Sequence, residues 1–135
     1  MPVAADFNWL AVLVVTVLGF VLGGLWYSPL LFGNRWLSAI GKNASDLGSP
    51  APAMSLTFFM ALTTAIVLAF LVHGLGIDTL AEGMILGLLV GVGITGAAMA
   101  SDYAFCRWPM ELFLIQAGYR VAYTVLSSAI LAVWR

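Results

Sequence analysis

One stripe of side chains has the composition to do chemistry. Gln116, Arg120, Tyr123 and Ser127 recur at i, i+4, i+7 and i+11, the spacing that gathers residues on one helix face. Such a stripe should face the bundle interior or a wet cavity, where it could help bind or pass a small solute. Arg120 supplies the charge, and it lies inside a long apolar run. It sits about nine residues past Glu111, hence roughly 14 Å into a hydrocarbon layer ~30 Å thick. Insertion scales charge about 2.5–3.5 kcal/mol for arginine at a helix centre, so an intramembrane charge is a functional candidate by default. The competing reading is a structural strut, Arg120 paired with Asp102 or hydrogen-bonded to tyrosines, because polar side chains commonly join helices in lipid. The spacing alone leaves both readings open.

The other reactive groups are poorly placed for catalysis. Asp102 and Glu111 both fall near a membrane surface, and no serine has a base at a recognisable position. A single histidine, His73, cannot ligate haem from both sides, and no His/Cys/Asp cluster has metal spacing, so neither metal nor cofactor is expected. His73 reads as an interfacial or hydrogen-bonded residue. Cys106 is the lone cysteine and rules out an intrachain disulfide and a paired-thiol oxidoreductase. Residues 91–96 spell G-x-G-x-x-G, but no strand precedes them and Gln116 stands where the acidic residue belongs, so they do not read as a dinucleotide site.

These residues need a scaffold, and composition names it. The chain of 135 residues is 63% hydrophobic and 8% charged, against about 25% charged in soluble domains. A soluble fold this small cannot hide that much apolar surface. Lipid can cover it. Apolar runs at about 9–27, 53–75, 80–103 and 111–134 each approach the ~20 residues needed to cross a bilayer as helix. They do not alternate as barrel strands do. The expectation is therefore all-α: a single polytopic domain over 1–135 with four transmembrane helices. Residues 30–41 read as a short amphipathic helix in the headgroup layer, with Phe32, Trp36, Leu37 and Ile40 on its apolar side. Residues 43–51 read as a linker.

Local signals refine the boundaries. Thr79 and Glu82 fit a capping box that opens the third span, and Asp6 is placed to cap the first. The leading residues carry Asp6 and no Lys or Arg, so they do not read as a cleavable signal. Gly83, Gly87 and Gly91 form a ridge that continues through Thr95 and Ala98 to Asp102, and Gly19 and Gly23 form a shorter one. Small residues at this spacing let helices approach closely, in the same chain or between subunits. Phe32-Gly33-Asn34-Arg35-Trp36 and Phe105-Cys106-Arg107-Trp108 echo one another. Two parallel helical hairpins would produce the echo, and so would independent interfacial Arg-Trp pairs.

Arg35, Lys42 and Arg107 fall in the first and third connections, against Arg135 on the other side. Positive-inside then places both termini outside the cytoplasm, with the chain in the cytoplasmic (inner) membrane. A net charge of −1 excludes steering toward nucleic acid.

Residues 23–33, Gly-Gly-Leu-Trp-Tyr-Ser-Pro-Leu-Leu-Phe-Gly, follow Asn8-Trp9-Leu10-Ala11 and resemble the opening of the family named domain of unknown function 1761. Gln116-Ala117-Gly118-Tyr119 is similar to that family's Asn-Ala-Gly-Tyr motif, with Gln for Asn, and Leu80-Ala81-Glu82-Gly83 fits too. The resemblance covers nearly the whole chain and implies a small four-helix membrane protein, with no activity attached. Arg120 lies outside the motif.

The leading expectation is a non-enzymatic, oligomeric membrane protein, a dimer by preference, with a polar pocket that binds or passes a small solute. Trp26, Tyr27, Asp102, Gln116, Tyr119, Arg120 and Tyr123 would line it. The alternative is an accessory subunit docking through its glycine ridge on a larger membrane complex. A membrane enzyme acting on lipid or quinone ranks third.

Overall fold

A computed structural model describes residues 3–135. Helices account for the architecture, with no strand among the described residues: α1 Trp9–Trp26, α2 Gly33–Ile40, α3 Ala51–Gly74, α4 Leu80–Leu88, α5 Ala97–Cys106 and α6 Met110–Val133. Between α4 and α5 the chain does not break. Leu89–Gly96 is π-helical, so Leu80–Cys106 forms one rod of 27 residues.

Trp9–Trp26, Ala51–Gly74 and Leu80–Cys106 are long and apolar enough to cross a membrane. Between 22% and 28% of each is buried within the chain, so most of this apolar surface needs a cover that the chain itself does not supply. At 24 residues, α6 is as long as α3, but Glu111, Gln116, Arg120 and several hydroxyl side chains make it less apolar. It is the axis of the fold. α1, α3, α4 and the π-helical segment pack on it, and α2 and α5 also touch it. Its polar residues are therefore largely turned inward: Thr124, Ser127 and Ser128 are all buried.

The core divides along the axis. At the end holding both termini, Val12, Val15, Leu68, Val72 and Leu131 make an aliphatic cluster that Phe7 closes. At the opposite end the packing is aromatic, built on Ala61, Tyr119 and Tyr123 with Leu22, Trp26 and Tyr27 against them. The connections around α2 and between α5 and α6 lie at this aromatic end, where Arg35 meets Glu111 at 3.8 Å. Both partners are exposed, and such a pair contributes about 0–1 kcal/mol.

Two helix starts are capped by side chains, with one correction to the expectation. Asn8, not Asp6, caps α1: its Oδ1 accepts the Ala11 N–H at 3.1 Å. Asp6 instead accepts the Val3 N–H at 3.1 Å and closes the preceding 3-10 turn. Thr79 Oγ1 accepts the Glu82 N–H at 3.2 Å, opening α4. The two halves of the sequence echo differ locally. Gly33 opens a helix, whereas Arg107 adopts a left-handed conformation (φ 55°) in the turn between α5 and α6.

The π-helical segment changes which residues face inward. Gly83, Gly87 and Gly91 are buried, but the face then moves by one position: Gly96 and Tyr103 are buried, while Ala98 and Asp102 are exposed. A π-turn takes more residues than an α-turn, so an α-helical count from Gly83 arrives at Asp102 one residue early. The ridge drawn from the sequence through Ala98 to Asp102 is corrected accordingly.

Candidate functional site

The turn after α1 is held by hydrogen bonds within itself. Ser28 donates from Oγ to the Leu25 carbonyl at 2.6 Å, Phe32 N donates to the Trp26 carbonyl at 3.0 Å and Gly33 N to the Ser28 carbonyl at 2.9 Å. Gly33 must be small, because a Cβ there would meet the Ser28 carbonyl carbon at 2.7 Å. This fold-back sets α2 beside α6. Trp26 then reaches across: its indole Nε1 donates to the Ile115 carbonyl of α6 at 2.9 Å, and a Cβ on Gly118 would stand 3.1 Å from its ring. Phe32 packs on Trp26 at 4.9 Å between centroids, Trp36 on Tyr27 at 5.3 Å, and Tyr27 on Tyr119 at 5.8 Å. Residues 26–36 and 115–119 thus form one aromatic assembly.

Two tyrosines of α6 fasten it to the first pair of helices. The Tyr119 hydroxyl donates to the Gly19 carbonyl of α1 at 2.8 Å, and Tyr123 donates to the Ala61 carbonyl of α3 at 2.7 Å. Gly19 and Gly23 are the α1 positions that lie under these rings. On the other side, Tyr103 of α5 donates to Gln116 Oε1. Gln116 is therefore held by Tyr103, the neighbour of Asp102.

Beside this assembly is a crevice of ≈500 Å³, within the usual size range of small-molecule sites. Phe20, Gly23, Gly24 and Tyr27 line it from α1 and the turn that follows. Trp36 comes from α2 and Leu47 from the connection after it, Pro50, Ala53, Met54 and Thr57 come from α3 and its entry, and Met99 comes from α5. α6 contributes Gln116, Tyr119 and Arg120. Of the candidate residues, Tyr27, Gln116, Tyr119 and Arg120 lie on the crevice. Trp26 and Tyr123 stand behind its wall in hydrogen bonds of their own, and Asp102 is exposed elsewhere.

Arg120 is the anomaly of the site. It is exposed, its guanidinium carbon sits 5.5 Å from the Tyr119 ring centroid, and among the described residues it makes no ion pair. The expected Arg120–Asp102 pair is absent, for the reason of helical phase given above. A cation–π contact contributes about 0.5–2 kcal/mol.

Other donors at the site are also incompletely used. Trp36 Nε1 is buried with no acceptor among the described residues. The sequence placed Trp36 on the apolar side of a short helix but gave no sign that its N–H would be orphaned. Elsewhere, His73 Nδ1 lies 3.0 Å from the Ala69 carbonyl, and among the described residues no group of His, Cys, Asp and Glu is arranged to hold a metal.

No curated protein and no solved structure matches the chain at a significant level. A family model does, over residues 10–132, and it takes in the turn after α1 and the Gln116–Tyr119 wall alike. The chain belongs to the family described as protein of unknown function (DUF1761).

Proposed function

We propose that this chain is a non-enzymatic membrane protein of four spans, α6 being the fourth, and that it binds a small solute in the crevice beside Arg120. The observation that carries the reading is Arg120 itself: an exposed guanidinium halfway along α6, without an ion pair among the described residues, on a crevice of solute size. Neighbouring helices explain why α6 tolerates its polar residues, since most of them are buried against other helices and not presented to lipid. The apolar outer faces of the other three long helical stretches support insertion in the bilayer.

The accessory-subunit reading needs a free glycine face, and Gly83, Gly87 and Gly91 are covered by α6. A homodimer, as part of this proposal, would use the outward apolar faces instead. Arg35, Lys42 and Arg107 favour the aromatic end as the cytoplasmic one, in the inner membrane. A membrane-impermeant thiol reagent on intact cells should then leave Cys106, which is exposed, unlabelled until lysis.

Gly24 gives a direct test of solute binding. It lines the crevice, and a Cβ there would meet nothing within 4 Å. Gly24→Phe should fill the space without disturbing the fold. Native mass spectrometry of the protein extracted from its membrane should show a retained small-molecule adduct that Gly24→Phe lacks. The same spectrum for parent and variant would contradict the proposal.

A further inference from the structure

We infer that the solute is a long-chain carboxylate drawn from the bilayer, an inference that rests on the crevice being a solute site. Charge is the first argument. All six carboxylate side chains of the protein are exposed and sit in turns, at helix ends or within the last turn and a half of α5, whereas Arg120 is near the middle of α6. Asp102 and Arg120 are separated by roughly 12 Å along the helix axes. A second copy of this chain, in either orientation, would bring its carboxylates to those same end levels. The anion that meets Arg120 is therefore not supplied by the chain.

The second argument is the kind of polar group present. Gln116 spends its carbonyl oxygen on Tyr103, leaving its amide N–H groups. The Tyr27 hydroxyl has no hydrogen-bond partner among the described residues. A wall of donors asks for a ligand of acceptors. Among the described residues Arg120 is the one cation on the crevice, so in a low-dielectric setting it matches a single negative charge, and a guanidinium receives a carboxylate on two parallel hydrogen bonds. Met54, Met99 and other apolar groups make up much of the remaining wall and suit a hydrocarbon chain.

The test uses the full chain in nanodiscs of zwitterionic phosphatidylcholine. Quenching of tryptophan fluorescence by 9,10-dibromostearate is compared with quenching by the corresponding dibrominated alcohol. The saturable part lost in Gly24→Phe is the share of the crevice. The acid should half-saturate that share at a mole fraction about tenfold lower than the alcohol, because only the acid can pair with the guanidinium. Arg120→Gln should erase the difference, and Arg120→Lys should keep part of it. Equal affinity of acid and alcohol for the parent protein overturns the inference while leaving the crevice a solute site, and it requires no variant of Arg120 to fold. Displacement of the acid by phosphatidylglycerol at equal mole fraction, or by sodium acetate at millimolar concentration, also overturns it. In the first case the head is a bulk phosphodiester, and in the second the chain plays no part. Absence of any saturable share defeats the solute site itself.

Discussion

α6 meets its neighbours in two ways, and the contrast organises the molecule. Toward α4 it presents short hydroxyls to glycines. Ser128 donates to the Gly83 carbonyl at 2.7 Å and Thr124 to the Gly87 carbonyl at 2.9 Å, with a Cβ on Gly83 standing 2.9 Å from the α6 backbone at Ala129. Toward α1 and α3 it presents long phenols, Tyr119 and Tyr123, that reach main-chain carbonyls across a wider gap. Short hydroxyls need touching backbones and leave no space. Tyrosines act as spacers, and where they prop helices apart a crevice remains beside Arg120. The same helix thus builds a closed seam on one face and an open one on another.

A bulky substitution should separate the two seams most sharply. Gly87→Leu drives a side chain into the backbone of α6 near Thr124 and Val125, where nothing flexible can yield. It should cost about 3 kcal/mol or more, read as loss of folded protein in a detergent unfolding titration. Gly24→Phe, an equally drastic change on the open side, should alter the same midpoint little, within about 0.5 kcal/mol. Comparable losses for the two would erase the distinction.

Removing hydroxyls is a gentler probe. Tyr123→Phe and Ser128→Ala each delete one interhelical hydrogen bond, and each should cost about 1 kcal/mol. The combination should be close to additive, because the two bonds lie on different seams. Strong coupling in that cycle would mean that the seams form together. A change of opposite sign is expected at Gly93, in the π-helical segment, where an added Cβ meets nothing within 4 Å. Gly93→Ala should stabilise by at most about 1 kcal/mol through lost backbone freedom, seen as a slight rise in the unfolding midpoint.

The long apolar runs were legible from composition, and the family from residues 23–33 and 116–119, because both signals are local. The site was legible in part. Arg120 announces itself as a charge in an apolar run, and Gln116 as a polar residue four positions before it. The helical stripe does not act as one surface, however. Gln116 and Arg120 reach the crevice, whereas Tyr123 and Ser127 are buried behind it. Asp102 was misplaced because a π-helical segment shifts phase without any break in hydrophobicity, and Gly91, Gly93 and Gly96 mark the place only in retrospect. Trp36, Met99 and Phe20 come from distant segments, so tertiary packing alone brings them to the crevice. One feature was missed that the sequence did hold: Thr124 and Ser128 share the four-residue spacing of Gly83 and Gly87, and matched spacings of small and hydroxyl residues identify a seam between two helices.

The central claim is that the open seam of α6 holds Arg120 ready for an anion that the chain does not supply. A crystal structure grown in a lipidic mesophase with the dibrominated acid addresses it most directly, since bromine scatters anomalously and locates the chain. Bromine density is expected in the crevice between α1, α3 and α5, with the carboxylate within hydrogen-bond distance of Arg120. Bromine on the outer faces only, with Arg120 paired to a carboxylate of a neighbouring protein chain, would contradict it.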